Sequence, residues 1–350
     1  MTDPFALPEA ALAAYLERQV AGFAGPLTAT KFKGGQSNPT YLIEAASGNY
    51  VLRRKPPGLL LASAHAVDRE FRVLEALSRT AVPVAAPLHL CTDEAVIGSM
   101  FYLMSHVPGR IYWDPALPEL ARAARGDHFD AILRTLAALH AVDVGAVGLA
   151  DYGKPGNYFA RQLKRWSEQY RASELARIEP MEQLIEWLAA HVPADDGQTA
   201  LVHGDWRIDN LIFDANEPRV RAIVDWELST LGHPLSDLGY FCMALRLPRN
   251  PVIPGLKGID RAAEGLPSER QIVERYVALT ARDAFSDWPF ILAFNFFRLA
   301  AIAQGVAKRA VQGNASSAQA DATGRMVPVI AALGMEAAHE GTNARGHEGT

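Results

Sequence analysis

The sequence predicts an α+β protein with a β-rich N-terminal part and a mainly helical remainder. Up to about residue 107, short apolar runs alternate with glycine and proline, and one helical stripe lies among them. After residue 127 the apolar residues recur three and four positions apart, which is the spacing of buried helices. Two short apolar runs between residues 201 and 225 interrupt these helices and predict one embedded hairpin.

Size and composition restrict the class of protein. The chain has 350 residues, of which 49% are hydrophobic and 21% charged, as expected for a soluble protein with one large or two medium lobes. A formal charge of −5 gives no electrostatic reason to expect a nucleic acid or an anionic membrane as partner. Neither a signal-peptide pattern nor an apolar run of about 18 residues is visible, so we expect a cytoplasmic protein. The oligomeric state is not indicated.

The N-terminal part predicts a five-stranded antiparallel sheet with one helix. An amphipathic helix is expected at residues 8–23, and a glycine turn at 34–38 leads into a β-prone run. Further strands are predicted at 49–55, 81–91 and 100–107, with a helix at 63–77 between the first two. We assign residues 1–107 to this N-terminal, nucleotide-binding lobe.

The helical part follows at residues 108–335. Its predicted helices span residues 127–140, 158–171, 181–191, 234–247, 267–284 and 290–311. Residues 336–350 lack apolar periodicity, and we expect them to form a disordered tail.

Acidic and amide side chains cluster at the two short apolar runs. Asp205 and Asn210 are five residues apart, and Asp225 follows fifteen residues later. The catalytic loop of protein kinases, H-R-D-x-x-x-x-N, has the same Asp–Asn separation and a metal-binding Asp beyond it. Phosphoryl transfer needs a carboxylate beside the attacking hydroxyl and oxygen ligands for magnesium, and this stretch supplies both.

A cation on a strand and a glutamate on a helix predict a second part of the site. Glu70 falls within the apolar stripe of its helix, where a carboxylate is costly to bury unless it meets a cation. In kinases a strand cation facing an inward glutamate holds the nucleotide phosphates. We assign Arg53 to this role, with Arg54 and Lys55 as alternatives. The glycine turn at 34–38 suits phosphate as well, although such turns are often purely structural.

Together these motifs resemble the aminoglycoside/choline-kinase-like phosphotransferases, which have a protein-kinase-like two-lobe fold. The matching segments follow the family's order over residues 34–237: Gly34–Asn38, Val51–Arg53, Glu70, His203–Asn210, Asp225–Glu227 and Gly232–Asp237. Lys154–Ala160 and Asp225–Pro234 look most like the branch that in some animals is fused to acyl-CoA dehydrogenase domains.

The resemblance implies a role for each matched residue. Asp205 would be the catalytic carboxylate, Asn210 and Asp225 would hold Mg²⁺, and His203 and Asp237 would brace the catalytic loop. The residues implied to bind ATP or GTP are Gly35, Ser37, Asn38, Arg53, Glu70 and the hinge residues Met104, Ser105, His106 and Val107.

The acceptor site is the least determined part. Glu227, Arg161, Trp166 and Arg298 are candidates, and Glu227 alternatively binds a second metal or Arg207. Asp209 is expected in solvent or in a local salt bridge. Basic residues between 161 and 171 favour an anionic acceptor, such as a hydroxyacyl thioester or a related metabolite, over a cationic aminoglycoside.

The sequence thus predicts an ATP- and magnesium-dependent phosphotransferase that acts on a hydroxyl of a small molecule. One alternative is a kinase for aminoglycosides or other cationic small molecules. A second is a nucleotide-binding regulatory module without catalysis, although Asp205, Asn210 and Asp225 are all intact. Protein kinase activity is disfavoured because the sequence has no D-F-G or A-P-E segment.

Overall fold

The computed structural model describes residues 5–32, 38–56, 66–250, 253–311 and 318–346. Its strands are β1 (Leu27–Lys31), β2 (Thr40–Ala45), β3 (Gly48–Arg54), β4 (Pro87–Cys91), β5 (Phe101–Ser105), β6 (Ala200–Val202), β7 (Leu211–Phe213), β8 (Val220–Ile223) and β9 (Thr230–Gly232). Its α-helices are α1 (Glu9–Gln19), α2 (Val67–Leu77), α3 (Arg122–His140), α4 (Tyr158–Ser173), α5 (Glu179–Ala190), α6 (Leu235–Met243), α7 (Glu269–Thr280), α8 (Trp288–Val311), α9 (Ala318–Arg325) and α10 (Val327–Gly346).

These elements form two compact units. Unit 1 comprises Met1–Arg110, Val144–Leu149 and Leu211–Ser229, and unit 2 comprises Ile111–Asp143, Ala150–Asn210 and Thr230–Thr350. Each unit therefore contains one part of the motif-bearing stretch. Residues 203–210 belong to unit 2, whereas Asp225 belongs to unit 1.

Unit 1 contains the predicted five-stranded antiparallel sheet, which is confirmed. Its strand order is β1-β2-β3-β5-β4, and every neighbouring pair is antiparallel. Leu12 and Leu16 of α1 pack against Ile43, Leu52 and Phe101 of the sheet. Because β3 lies in the middle of this sheet, its side chains can contact helix α2.

A hairpin of β7 and β8 also belongs to unit 1. Leu211 pairs with Ile223, and the Ile223 N–H donates to the carbonyl of Pro83. Gly109 lies so close to this hairpin that a Cβ atom would come within 2.3 Å of the Phe213 carbonyl oxygen. The hairpin carries Asp225 at its end, so it holds that residue inside unit 1.

Unit 2 is helical and is organised around α8. This helix has the length and mean hydropathy of a membrane span, but 83% of its most apolar segment is buried, as in the core helix of a globular protein. Gly239 of α6 allows close packing on α8, since a Cβ there would lie 2.5 Å from Ile291. β6 pairs with β9 and leads directly into residues 203–210, the segment predicted to be the catalytic loop, which we call the catalytic-loop segment.

The C-terminal region differs from the expectation of a disordered tail at 336–350. Helix α10 continues through residues 336–346, and its Ala337 and Ala338 are fully buried. Small side chains allow this helix to pack closely against the unit, although they give little apolar periodicity in the sequence.

Candidate active site

Unit 1 holds a buried ion pair between Arg53 of β3 and Glu70 of α2. The Arg53 Nε atom lies 2.8 Å from Glu70 Oε2, and Glu70 is only 1% exposed. The carboxylate also accepts hydrogen bonds from Asn38 Nδ2 at 2.7 Å and from the Tyr102 hydroxyl at 3.1 Å. The pairing of a strand cation with an inward glutamate therefore occurs as predicted. Arg54 instead donates to Ser99.

The other side of the Arg53 guanidinium faces two further carboxylates. Its Nη2 atom donates to Asp225 Oδ1 at 2.6 Å and lies 3.7 Å from Glu227 Oε2. Asp225 has a left-handed backbone with φ of 65°, which is unusual for a residue other than glycine and is frequent at functional sites. We call Arg53, Glu70, Asp225 and Glu227 the Arg53 cluster.

Burial and neighbouring charges shift the pKa values in the Arg53 cluster in opposite directions. Burial alone would lower the pKa of Arg53, but the carboxylates of Glu70 and Asp225 outweigh burial and raise it above its ordinary value. Burial raises the pKa of Glu70, and Arg53 opposes that shift. Arg53 is thus a permanent cation that three carboxylates surround.

The catalytic-loop segment of unit 2 is braced by Asp237. This side chain is fully buried, and its two oxygens accept the N–H groups of His203 at 2.7 Å and Gly204 at 2.8 Å. Asn210 Nδ2 donates to the backbone oxygen of Asp205 at 2.9 Å and to its Oδ2 at 3.0 Å. The predicted loop residues therefore meet within unit 2.

A buried chain behind Asp237 was not predicted from the sequence. His140 Nε2 lies 3.3 Å from Asp237 Oδ2, and its Nδ1 lies 2.8 Å from the Tyr276 hydroxyl. Burial would raise the pKa of Asp237, but the hydrogen bond and charge of His140, followed by His203, prevail and lower it. Asp237 is therefore held as an anion beneath the loop.

Arg207 lies on the solvent side of the same segment. It forms a bidentate ion pair with Asp209, and its Nε lies 3.8 Å from Asp205 Oδ1. Asp209 thus takes part in a local salt bridge, one of its two expected environments. Arg207 is paired to a residue of its own loop, whereas Glu227 lies in the Arg53 cluster.

The acceptor candidates of unit 2 occupy unexpected positions. Arg298 is 4% exposed and donates to the carbonyl of Gly204, and the buried Trp166 lies against its guanidinium. Arg161 donates to the carbonyls of Lys154 and Pro155. Arg298 and Trp166 are thus buried inside the protein, away from an open surface, whereas Arg161 is half-buried and its acceptor role stays a prediction.

A mostly apolar groove of about 550 Å³ lies beside the catalytic-loop segment in unit 2. Its apolar walls include Trp113, Trp206, Phe241, Leu247, Ile253 and Leu299. Arg207 and Asp209 are the charged residues among the described lining residues, and Trp113 is 63% exposed. We call this the loop groove. A larger cleft of about 800 Å³ in unit 2 contains Arg161 and His233 in its described lining but no residue from 203–210.

The predicted nucleotide contacts are only partly described. Gly35 and Ser37 lie outside the described residues. The hinge segment 104–107 is half-buried. Its first two residues end β5, and its last two follow that strand. Within it, the Ser105 N–H donates to the carbonyl of Ala86, so this amide is already used by the sheet.

The donor atoms of Asn210 and Asp225 suit magnesium. Both supply hard oxygen ligands, and the amide nitrogen of Asn210 is held by Asp205, which makes the amide oxygen the atom available for a metal. No cluster of three His, Cys, Asp or Glu side chains suited to a metal is found among the described residues. Magnesium commonly uses only one or two protein ligands, together with water and substrate phosphates.

Known proteins resemble this chain over most of its length. The sequence pattern of the phosphotransferase enzyme family matches residues 28–272. A Ralstonia eutropha protein assigned provisionally as an aminoglycoside phosphotransferase is 47% identical, with a TM-score of 0.87 over 96% of this chain and 99% of that one. A thermostable mutant of aminoglycoside phosphotransferase APH(4)-Ia, in complex with AMP-PNP and hygromycin B, has a TM-score of 0.61 over 93% and 98% of the chains. At 14% identity it shares the fold.

Longer proteins contain a related segment. Mouse acyl-CoA dehydrogenase family member 10 is 44% identical over 330 residues, which cover 94% of this chain but 31% of the mouse protein. The chain therefore spans less than half the length of the curated relatives that it matches.

Proposed function

The chain belongs to the phosphotransferase enzyme family, and from this premise we propose that it is an ATP- and magnesium-dependent kinase acting on a small-molecule hydroxyl. The predicted protein-kinase-like fold and the resemblance to the branch fused to acyl-CoA dehydrogenases are both confirmed. The observation that carries the proposal is the pair of preassembled groups, the Arg53 cluster and the Asp237-braced catalytic loop.

Each group has a distinct proposed task. Asp205 orients the acceptor hydroxyl and accepts its proton, while Arg53, held by Glu70, binds the nucleotide phosphates. Asn210 and Asp225 would each hold Mg²⁺, which when bound would neutralise phosphate charge. Positioning and charge neutralisation then supply most of the rate, as expected for a loose phosphoryl-transfer transition state.

A change of partner by Asp225, from Arg53 to Mg²⁺, is part of this proposal. The Asp225 Oδ1 atom lies 2.6 Å from Arg53 Nη2. Phosphate oxygens would replace Asp225 on the guanidinium, which grips phosphate in bidentate fashion. The carboxylate would then be available to the metal.

The test is magnesium-dependent ATP turnover with single carboxylate variants. We expect Asp205→Ala and Asp225→Asn to lower turnover by roughly a thousandfold or more, since each removes a group that acts on the transferring phosphoryl. Asp127→Asn, which changes an exposed carboxylate of α3, is the matched control and should leave turnover unchanged. Nucleotide binding without turnover on any hydroxyl acceptor would support the regulatory-module alternative instead.

The acceptor proposed for the loop groove combines an apolar portion with an anionic group. The groove walls are mostly apolar, and the ion pair of Arg207 with Asp209 forms its charged end beside Asp205. An anionic group of the acceptor would compete with Asp209 for the planar guanidinium of Arg207, which can bind more than one acceptor. A cationic aminoglycoside would need several carboxylates, whereas the described lining of the groove offers only Asp209. The names of the longer relatives refer to acyl-CoA chemistry, which agrees with a hydroxyacyl thioester.

The basic residues of α4 lie apart from the loop groove. Arg161 caps backbone carbonyls and Arg171 pairs with Glu182, so neither contributes to the loop groove. Turnover of ATP should be compared between panels of hydroxyacyl-CoAs and of aminoglycosides. Turnover confined to the cationic sugars would refute the anionic acceptor.

We also propose that the protein acts in the cytoplasm. The described helix with the hydropathy of a membrane span, α8, is packed inside unit 2. Cell fractionation tests this, and recovery in the membrane fraction would contradict it.

A further inference from the structure

The peptide group that precedes Asp205 is held from both sides. The Gly204 N–H donates to Asp237 Oδ1 at 2.8 Å, and the Gly204 carbonyl accepts a hydrogen bond from Arg298 Nη2 of helix α8. Gly204 has a φ of 83°, a conformation that favours glycine. The direction in which the Asp205 side chain leaves the backbone therefore depends on both contacts.

Burial of the Arg298 guanidinium at this position costs free energy. Arg298 is 4% exposed, and no carboxylate among the described residues forms an ion pair with it. Its guanidinium lies 5.6 Å from the ring centre of Trp166 and 5.4 Å from that of Tyr240, and its Nη1 atom has no hydrogen-bond partner. Two ring faces and one carbonyl offset only part of the cost of burying a cation. A leucine or methionine would fill the same volume at lower cost, so stability alone does not account for the arginine.

Tyr240 of α6 supports Arg298 next to the same segment. Tyr240 is 5% exposed, its ring centre lies 5.4 Å from the Arg298 guanidinium, and it lines the loop groove together with Arg207 and Asp209. Burial first, and then the negative charge of Asp205, raise the pKa of the Tyr240 phenol, so the phenol is neutral. The ring that packs on the Arg298 guanidinium is thus itself fixed beside the loop.

We propose that Arg298 is a positioning residue for Asp205 that acts on its backbone. Arg298 fixes the Gly204 peptide plane, and the ring of Tyr240 supports the guanidinium that does so. This inference rests on the proposed function in assigning catalysis to Asp205. The arrangement that it describes can be tested without any turnover.

Hydrogen–deuterium exchange of the segment 203–210 is the first test. Arg298→Met removes the donor to Gly204 and keeps the buried volume, so we expect exchange in this segment to accelerate roughly tenfold or more, as for loss of a charge-assisted hydrogen bond. Exchange in the rest of α8 should stay unchanged. Arg309→Met, at an exposed position of the same helix, should leave the whole pattern unaltered.

Arg298→Lys separates positioning from a general structural role. Lysine can still donate one hydrogen bond to the Gly204 carbonyl, so most of the protection of segment 203–210 should return. Unchanged exchange of that segment in a folded Arg298→Met protein overturns the proposal. If Arg298→Met does not fold, Arg298→Lys decides the question. Its single flexible donor should leave exchange of segment 203–210 roughly twofold faster than in the wild type, and exchange equal to that of the wild type contradicts the proposal.

Steady-state kinetics provide the second test. We expect Arg298→Met to lower kcat by roughly tenfold and Arg298→Lys to restore most of that loss, while the KM values for ATP and acceptor change less than twofold. A raised acceptor KM with unchanged kcat would identify an acceptor-binding residue and refute positioning. If the wild type shows no turnover, the proposed function fails, but the exchange measurement still decides whether Arg298 orders the segment.

Discussion

Replacement of Asp237 by asparagine should remove the support beneath the catalytic loop. Asp237 is fully buried and accepts two backbone N–H groups, from His203 at 2.7 Å and Gly204 at 2.8 Å. An asparagine has one oxygen, so its NH₂ group must face one of these two donors. The change loses one hydrogen bond to a charged acceptor and leaves a buried N–H without a partner. We expect the free energy of unfolding to fall by about 3 kcal/mol, roughly a hundredfold in the folded-to-unfolded ratio.

Urea denaturation followed by tryptophan fluorescence measures this loss. At a slope of about 3 kcal/mol per molar urea, the midpoint should fall by about 1 M without a change in slope. Asp127→Asn, an exposed change on α3, should stay within about 0.5 kcal/mol of the wild type. A loss for Asp237→Asn no larger than that of this control would refute the reasoning that Asp237 braces the loop.

The pH dependence of the same pair provides an independent check. The environment lowers the pKa of Asp237, with His140 opposing the effect of burial. The stabilising contribution of the anion is therefore fully present above the ordinary carboxyl value and is lost as the pH falls through the lowered value. The difference between the wild type and Asp237→Asn should be large near neutrality and should shrink below about pH 4. A difference that stays constant down to the acid transition would contradict this assignment.

Three further changes have expected outcomes in unit 2. Burial lowers the pKa of His233 in spite of Asp196, so the free energy of unfolding should decline as the pH falls below about 6.5. In His233→Gln, the calorimetric unfolding midpoint should therefore change less between about pH 7 and pH 5 than in the wild type. Gly239→Ala should cost about 1–3 kcal/mol in urea denaturation, because its Cβ would lie 2.5 Å from Ile291. Gly126→Ala should instead add about 0.5–1 kcal/mol, since this exposed position inside α3 has no neighbour closer than 3.9 Å.

The sequence predicted those elements in which apolar side chains recur at a clear helix or strand spacing. The sheet of unit 1 and the helix α8 were predicted because large apolar residues repeat along them. The pair β6–β9 was missed since three-residue strands are too short for an alternation to be recognised. Helix α10 was not among the predicted helices, and its part beyond residue 335 was expected to be disordered, because its buried positions there are alanines, which give no clear apolar period.

Site residues could be recognised from the sequence when their residue type was unusual for the local pattern. Glu70 was informative because a carboxylate interrupted an apolar stripe, and that anomaly required a partner such as Arg53. His140, Tyr240 and Tyr276 were not recognised, since a histidine or tyrosine on a buried helix is typical of an ordinary core position. Only tertiary packing brings these three residues beneath the catalytic-loop segment, and local sequence contains no signal for it.

Burial separates the acidic residues into two functional groups that their motifs do not distinguish. The side chains of Glu70 and Asp237 are 2% and 0% exposed, so neither can contact a substrate without unfolding its surroundings. Those of Asp205 and Asp225 are 21% and 32% exposed and are within reach of ligands. The buried pair therefore fixes geometry, while the accessible pair is available for the proton and metal chemistry that we propose. A substitution in the first pair should thus lower stability and activity together, whereas one in the second should lower activity in a protein that remains folded.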